Sequence, residues 1–356
     1  MNLSDVIDAL VEERGLDKEQ IATIVCEGMR AAYSKKYPEL NFVVIYNKKS
    51  GQVEVFTEKT VVSSAQDKEK EISLKKAKVI NPKAKIGSVL PVPFEQAIGR
   101  IEILVAKQVI ANKIRELEQS VVYEEYKDQL GDIISGVLHK KERGGFVIKI
   151  NDVMALLPKE GLIPGENLVI GHPVKVLLKE VLSVGRGDFQ LILDRASADF
   201  VRKLIKLEIP EVFEGLVEIK KIVRIPGYKT KAVVVSKGKD IDPVGTCIGV
   251  GGARIKPILK ELDKEKIDLI EWTDVTEDLV KRSLKPAEID RVVLSDDKKS
   301  ATVWLSQDQR SFAIGKMGQN ILLASKLVGL DLQLQDVSSN GENESEKLTE
   351  DNRLDN

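Results

Sequence analysis

PVGTCIGVGGARIKPILKEL, residues 243–262, and QRSFAIGKMGQNILLASKLV, residues 309–328, are the two stretches on which the fold turns. With a shift of 66 positions Ile248-Gly249 falls on Ile314-Gly315, Gly252 on Gly318 and Ile255 on Ile321. Self-similarity at a fixed period marks a repeated supersecondary unit, and it takes precedence over any single-element assignment. Working outward, each copy predicts helix, strand, strand, helix, GxxG loop, helix, strand. In the first copy DFVRKLIKL is the opening helix, VEIKKIVRI and KTKAVVVS the strand pair, and IDLIEW the last strand. In the second copy VTEDLVKRSL, EIDRVVLS, ATVWLS and LDLQLQDV take the same places. Two domains follow, 199–274 and 275–337, joined by only a few residues.

A GxxG turn between helices lets another backbone come close, because glycine lacks a Cβ and adopts turn angles that other residues avoid. The helix after it presents unpaired N–H groups that favour phosphate oxygens. Ile248 with Ile255, and Ile314 with Ile321, can floor a narrow groove for bases. This is how KH modules clamp single-stranded RNA. A lone GxxG is more often an ordinary turn, but two at equivalent places in a repeat reverse that balance. The first also lies in a basic run, since residues 220–260 carry ten basic and two acidic side chains, the electrostatic footprint of phosphate binding. The candidate RNA contacts are Gly249, Val250, Gly251, Gly252, Arg254 and Lys256, then Gly315, Lys316, Met317, Gly318, Gln319 and Asn320. A nucleotide-binding reading of GTCIGVGGAR fails. The Rossmann spacing needs glycine at Arg254, and a phosphate loop needs Lys and Ser or Thr where Ala253 and Arg254 stand.

Upstream, residues 131–198 change to short β-rich runs punctuated by glycine: DIISGVL, GGFVIKI, MALLP, HPVKVLLKEV and FQLILDR. Five short strands at this spacing suit an OB-fold barrel better than a sandwich fragment. Residues 1–130 open with two helical patterns. One comprises Leu3, Val6, Ile7, Leu10 and Val11; the other, after an N-cap at Asp17, comprises Ile21, Val25, Met29 and Ala32. FVVIY (42–46) and QVEVFT (52–57) predict a hairpin, and the amphipathic stretch 94–128 a long helix with one polar face. Acidic and basic residues balance over 1–130, and no GxxG loop occurs there, which points to a protein partner. Residues 338–356 hold six acidic and two basic side chains and almost no apolar ones, so a disordered acidic tail is expected. The whole is an α+β multidomain chain.

Composition narrows the chemistry. In 356 residues the 55 basic and 56 acidic side chains nearly cancel, and aromatics make up only 4%, against a stacked-ring cofactor site. Cys26 and Cys247 stand far apart and fit a reducing compartment, the cytoplasm. His139 and His172 are the only histidines, too few for a zinc site or for histidine acid–base chemistry. Paired carboxylates such as Asp296-Asp297 are adjacent in sequence and do not face one site. No GxSxG elbow occurs, and no apolar run approaches the ~18 residues that span a bilayer. No enzyme activity, cofactor, metal or membrane role is expected.

Longer stretches carry a resemblance. LEIPEVFEGLVEIKKIVRIPGYKTKAVVV with DPVGTCIGVGGARI and EKIDLIEW, FAIGKMGQNILLASKLVGLDL, EISLKKAKVINPKAKIG and AKQVIANKIRELEQSVVYEEYKD are similar to the bacterial NusA family of transcription elongation, termination and antitermination factors. The resemblance covers about residues 1–337. It implies an N-terminal domain that docks on core RNA polymerase, an OB domain, and two KH domains that hold nascent single-stranded RNA, alongside other elongation and antitermination factors. It also implies departures. Gly251 stands where the family usually has a basic residue, and Phe146 is the only matching OB aromatic, with Arg143 where another ring is expected. The short polar tail after Val337 takes the place of the C-terminal acidic repeats of some members. Two alternatives use similar modules. An exoribonuclease subunit would carry KH before OB, after large catalytic domains, the reverse of this order. A ribosome-associated assembly factor would use the same RNA chemistry.

Overall fold

The computed structural model describes residues 17–48, 50–186, 189–238 and 240–337. The helix expected over Leu3 to Val11 and the tail 338–356 lie outside the described residues. Two compact units divide the chain, Met1–Glu125 and Tyr126–Asn356.

In the first unit α1 (Lys18–Lys36) starts at Asp17, whose carboxylate accepts from the amides of Glu19 at 3.0 Å and Gln20 at 3.1 Å. The sheet comprises β1 (Phe42–Asn47), β2 (Gln52–Val62), β3 (Glu71–Ser73) and β4 (Val89–Pro93), with β2 pairing all three others. Helix α2 (Leu74–Ile80) follows β3, and the long helix α3 spans Arg100–Tyr126. Ile21, Ala22 and Val25 pack with Tyr46 and Val53 of the hairpin and Ile110, Ile114 and Leu117 of α3. The long helix begins at Arg100, not at 94 as the amphipathic pattern suggests. The Phe94 amide donates to the Val55 carbonyl at 2.9 Å. Its ring stands edge-on to Tyr33, Tyr37 and Phe42, with centroids 5.8, 5.3 and 5.2 Å away. Those contacts keep Phe94 in line with the sheet.

In the second unit β5 (Ile133–Glu142), β6 (Gly145–Ile150), β7 (Val153–Pro158), β8 (Pro173–Arg186) and β9 (Phe189–Asp194) form a closed barrel in the order β5-β6-β7-β9-β8, as the five β-rich runs predict. Tyr126 is 1% exposed, and its hydroxyl accepts from Asn151 Nδ2 at 3.1 Å. The unit therefore takes in Tyr126, before the join that sequence texture places at Leu130-Gly131.

Both repeat copies adopt the expected order. The first comprises α4 (Ala198–Glu208), the one-turn α5 (Pro210–Phe213), β10 (Val217–Ile225), β11 (Lys229–Ser236), α6 (Pro243–Ile248), α7 (Ile255–Glu261) and β12 (Lys266–Glu271). The second comprises α8 (Thr276–Ser283), β13 (Arg291–Leu294), β14 (Ser300–Leu305), α9 (Arg310–Ile314), α10 (Gln319–Val328) and β15 (Asp331–Asp336). In each, the first two strands pair antiparallel and the last joins the middle one in parallel. The short helix α5 lies outside the repeat pattern.

The barrel and the two copies are packed without a break. Ile163 and Leu177 of the barrel share a core with Phe200, Leu204 and Ile222 of the first copy. Arg195, 3% exposed, bridges Glu166 at 3.0 Å and Glu261 at 2.7 Å. Arg224, 1% exposed, pairs with the fully buried Glu265 at 2.8 Å. The Phe200 ring lies 5.0 and 5.8 Å from these two guanidinium groups. On the other side Val233 and Ile270 of the first sheet pack against Leu279 and Leu327 of the second copy.

Candidate nucleic-acid interface

The helices α6 and α9 each run into a GxxG loop, and the two loops repeat one backbone shape. Gly249 and Gly315 have φ of 74° and 72°, Gly251 and Met317 58° and 53°, Gly252 and Gly318 77° and 73°. That Met317 holds a positive φ, where glycine serves in the first copy, shows that the shape is imposed by the surroundings and not by glycine alone.

The surroundings are identifiable. A Cβ on Gly249 would stand 2.9 Å from Arg254 Cγ and 3.1 Å from its amide nitrogen; one on Gly315 would stand 2.7 Å from Asn320 Cβ. Arg254 and Asn320 are equivalent under the shift of 66, and they do the same work. Arg254 Nη1 donates to the Thr246 carbonyl at 2.9 Å, and Asn320 Nδ2 to the Phe312 carbonyl at 3.1 Å, again equivalent positions. Arg254 also pairs with Glu211 of α5 at 2.7 Å, and Asn320 donates to the Leu284 carbonyl at 3.1 Å. Asn320 is 4% exposed. Both residues tie one helix to the other; Asn320 is buried in doing so, whereas the Arg254 side chain stays half-exposed. Their sequence positions beside glycine hide this, because the partners are distant backbone carbonyls and a carboxylate on an element outside the repeat.

The outer faces of the loops are open. Val250 is 97% and Met317 87% exposed. Nothing lies within 4 Å of where a Cβ on Gly318 would stand, and on Gly252 only ordinary contacts with Ile255 and Lys256 begin at 3.5 Å. Lys256 and Lys316 are exposed, and Gln319, half-buried, begins α10. Phe146 lies apart on β6 of the barrel, half-buried, with Lys141 Nζ 5.6 Å from its ring centroid.

The basic run is less of a footprint than its count suggests. Arg224 and Arg254 are paired as above, and Lys229 and Lys231 share Asp268 at 2.9 and 2.8 Å. Burial holds the Lys231 ammonium below its ordinary pKa. Burial pushes Asp268 up, but hydrogen bonds and charge from the two lysines outweigh it and leave the carboxyl below its ordinary value. Cys247, within α6, is buried, and that burial pushes its thiol up to about 11, far from a nucleophile's range. Among the described residues no cluster of His, Cys, Asp and Glu could hold a metal ion, and no helix is long and apolar enough to cross a membrane.

Three family models match: the NusA N-terminal domain over residues 2–120, the NusA-like first KH domain over 195–272 and the NusA-like second KH domain over 276–342. A protein of Rickettsia prowazekii is 34% identical over 97% of this chain and 70% of its own length. Relatives from Thermus thermophilus (34% identical, 93% of this chain and 89% of the relative) and Bacillus subtilis (32%, 94% and 90%) agree. All three are named transcription termination/antitermination protein NusA. The chain belongs to the NusA family. Its two GxxG loops are thus those of the NusA KH pair, and the closed barrel fills the stretch between the N-terminal and first KH matches.

Proposed function

We propose that this NusA-family protein is a non-enzymatic RNA-binding regulator. Residues 1–130 dock on core RNA polymerase, while the barrel (131–198) and KH domains (199–274 and 275–337) hold nascent single-stranded RNA. The observation that carries the proposal is the paired loop geometry. Two open GxxG turns of one backbone shape are braced from behind by Arg254 and Asn320 and set in one continuously packed unit. RNA backbone tracks Gly249, Val250, Gly251, Gly252 and Lys256, then Gly315, Lys316, Met317, Gly318 and Gln319, and Phe146 offers the barrel one ring. A strand so held is kept from pairing with itself, and binding alone can then bias pausing, termination and antitermination without catalysis. The partner is tested by pull-down of core polymerase against ribosomal subunits with the full chain. Retention of polymerase, with no retention of ribosomal subunits, is expected. Capture of ribosomal subunits alone would favour the assembly-factor alternative.

A further inference from the structure

The shift of 66 also compares the outer faces of the two loops position by position, and their chemistry differs at four of them. Thr246 is matched by Phe312, Val250 by Lys316, Gly251 by Met317 and Lys256 by Leu322. In the second copy the three apolar side chains are uncovered: Phe312 is 53%, Met317 87% and Leu322 46% exposed. The first copy offers a hydroxyl, a hydrogen and an ammonium in their places. Neighbouring Ala313 is 0% exposed, so α9 turns Ala313 inward and Phe312 outward. The Phe312 backbone is held from behind, since its carbonyl accepts from Asn320, the residue that packs against Gly315. An uncovered ring on a held backbone therefore stands at the entrance of a GxxG loop, with an exposed lysine one residue past that glycine.

An uncovered ring four residues before an exposed lysine fits a nucleobase with its phosphate, because base faces stack on aromatic rings while the phosphate meets the ammonium. We propose that Phe312 is a stacking platform for an unpaired purine of single-stranded RNA, with Lys316 on a neighbouring phosphate. The second KH loop then selects a base, while the first follows backbone alone. The assignment rests on the RNA-binding role proposed above. A purine is favoured over a pyrimidine because two fused rings cover more of the phenyl face, and preferences of this kind come from stacking strength.

The test uses the full chain and short, uridine-rich single-stranded RNAs carrying one 2-aminopurine at successive positions. Wild type should quench the probe at one position. Phe312→Ala should bind about tenfold more weakly, the loss of one base stack, with the quench gone and the salt dependence unchanged. Phe312→Trp should keep both affinity and quench; Phe312→Leu, which retains bulk but no π face, should behave like the alanine variant. Wild-type affinity and quench in Phe312→Ala, or full affinity in Phe312→Leu, would overturn the stacking role and leave the clamp standing. No RNA affinity in wild type would overturn both, and would leave the apolar trio as a protein-docking surface.

Discussion

Gly249 and Gly318 have nearly the same φ, 74° and 73°, and are glycine for different reasons. At Gly249 a Cβ would press on Arg254 at 2.9 Å, backbone included at 3.1 Å. Gly249→Ala should therefore cost roughly 2–3 kcal/mol, combining a strained φ with a displaced brace. Gly318→Ala meets nothing within 4 Å and should cost only the left-handed conformation, roughly 1–2 kcal/mol. Urea unfolding of the two variants checks the order; equal losses would mean that Arg254 yields freely. Cys247 gives a second check. Because burial raises its thiol to about 11 from 9.0, its contribution to stability is complete below pH 9 and is lost as pH rises towards 11. Alkylation at pH 8 should spare Cys247 in the native protein and modify it once urea unfolds the chain. Rapid native-state modification would contradict the burial.

Among the elements, the first KH sheet carries a test of its internal charges. Asp268 neutralises both Lys229 and the 1% exposed Lys231. Asp268→Asn leaves two lysines together, one without solvent, and should destabilise by about 3 kcal/mol. Lys231→Met removes the buried ammonium while Lys229 still pairs with Asp268, and should be nearly neutral. Comparable losses in both variants would show that the pair itself is strongly stabilising. These lysines mark where sequence reasoning runs out. Asp17, the hairpin, the five barrel strands and both αββααβ copies follow from local pattern, since caps, turns and periodicity act between near neighbours. Arg254, Asn320 and the basic run cannot be assigned that way. Side chains that look like phosphate ligands in sequence are satisfied by Glu211, Leu284 and Asp268, which only the folded chain brings alongside. The start of α3 escapes the local pattern for the same reason, because Phe94 is held by rings more than 50 positions upstream.

At the scale of the whole molecule the proposed function divides the work between residues 1–130 and 131–337. Residues 126–337 should fold alone, whereas 131–337 should be less stable, because it lacks Tyr126, which is 1% exposed and bonded to Asn151. Thermal melts of the two fragments decide this, and identical midpoints would mean that Tyr126 is dispensable. The central claim is that both loops grip one RNA strand in a packed KH pair. Single-stranded RNA affinity of the full chain, measured across a salt series for wild type, Gly252→Asp, Gly318→Asp and the double variant, tests it most directly. Each aspartate places a side chain and a negative charge where phosphate should lie; the space around both glycines leaves room for it, at the cost of a left-handed backbone. Each single variant should bind more weakly, with the slope of log affinity against log salt reduced by about 0.7 for each phosphate that is no longer neutralised. The double variant should bind more weakly than either. Unchanged affinity and slope in both single variants, with circular dichroism as in wild type, would contradict the clamp.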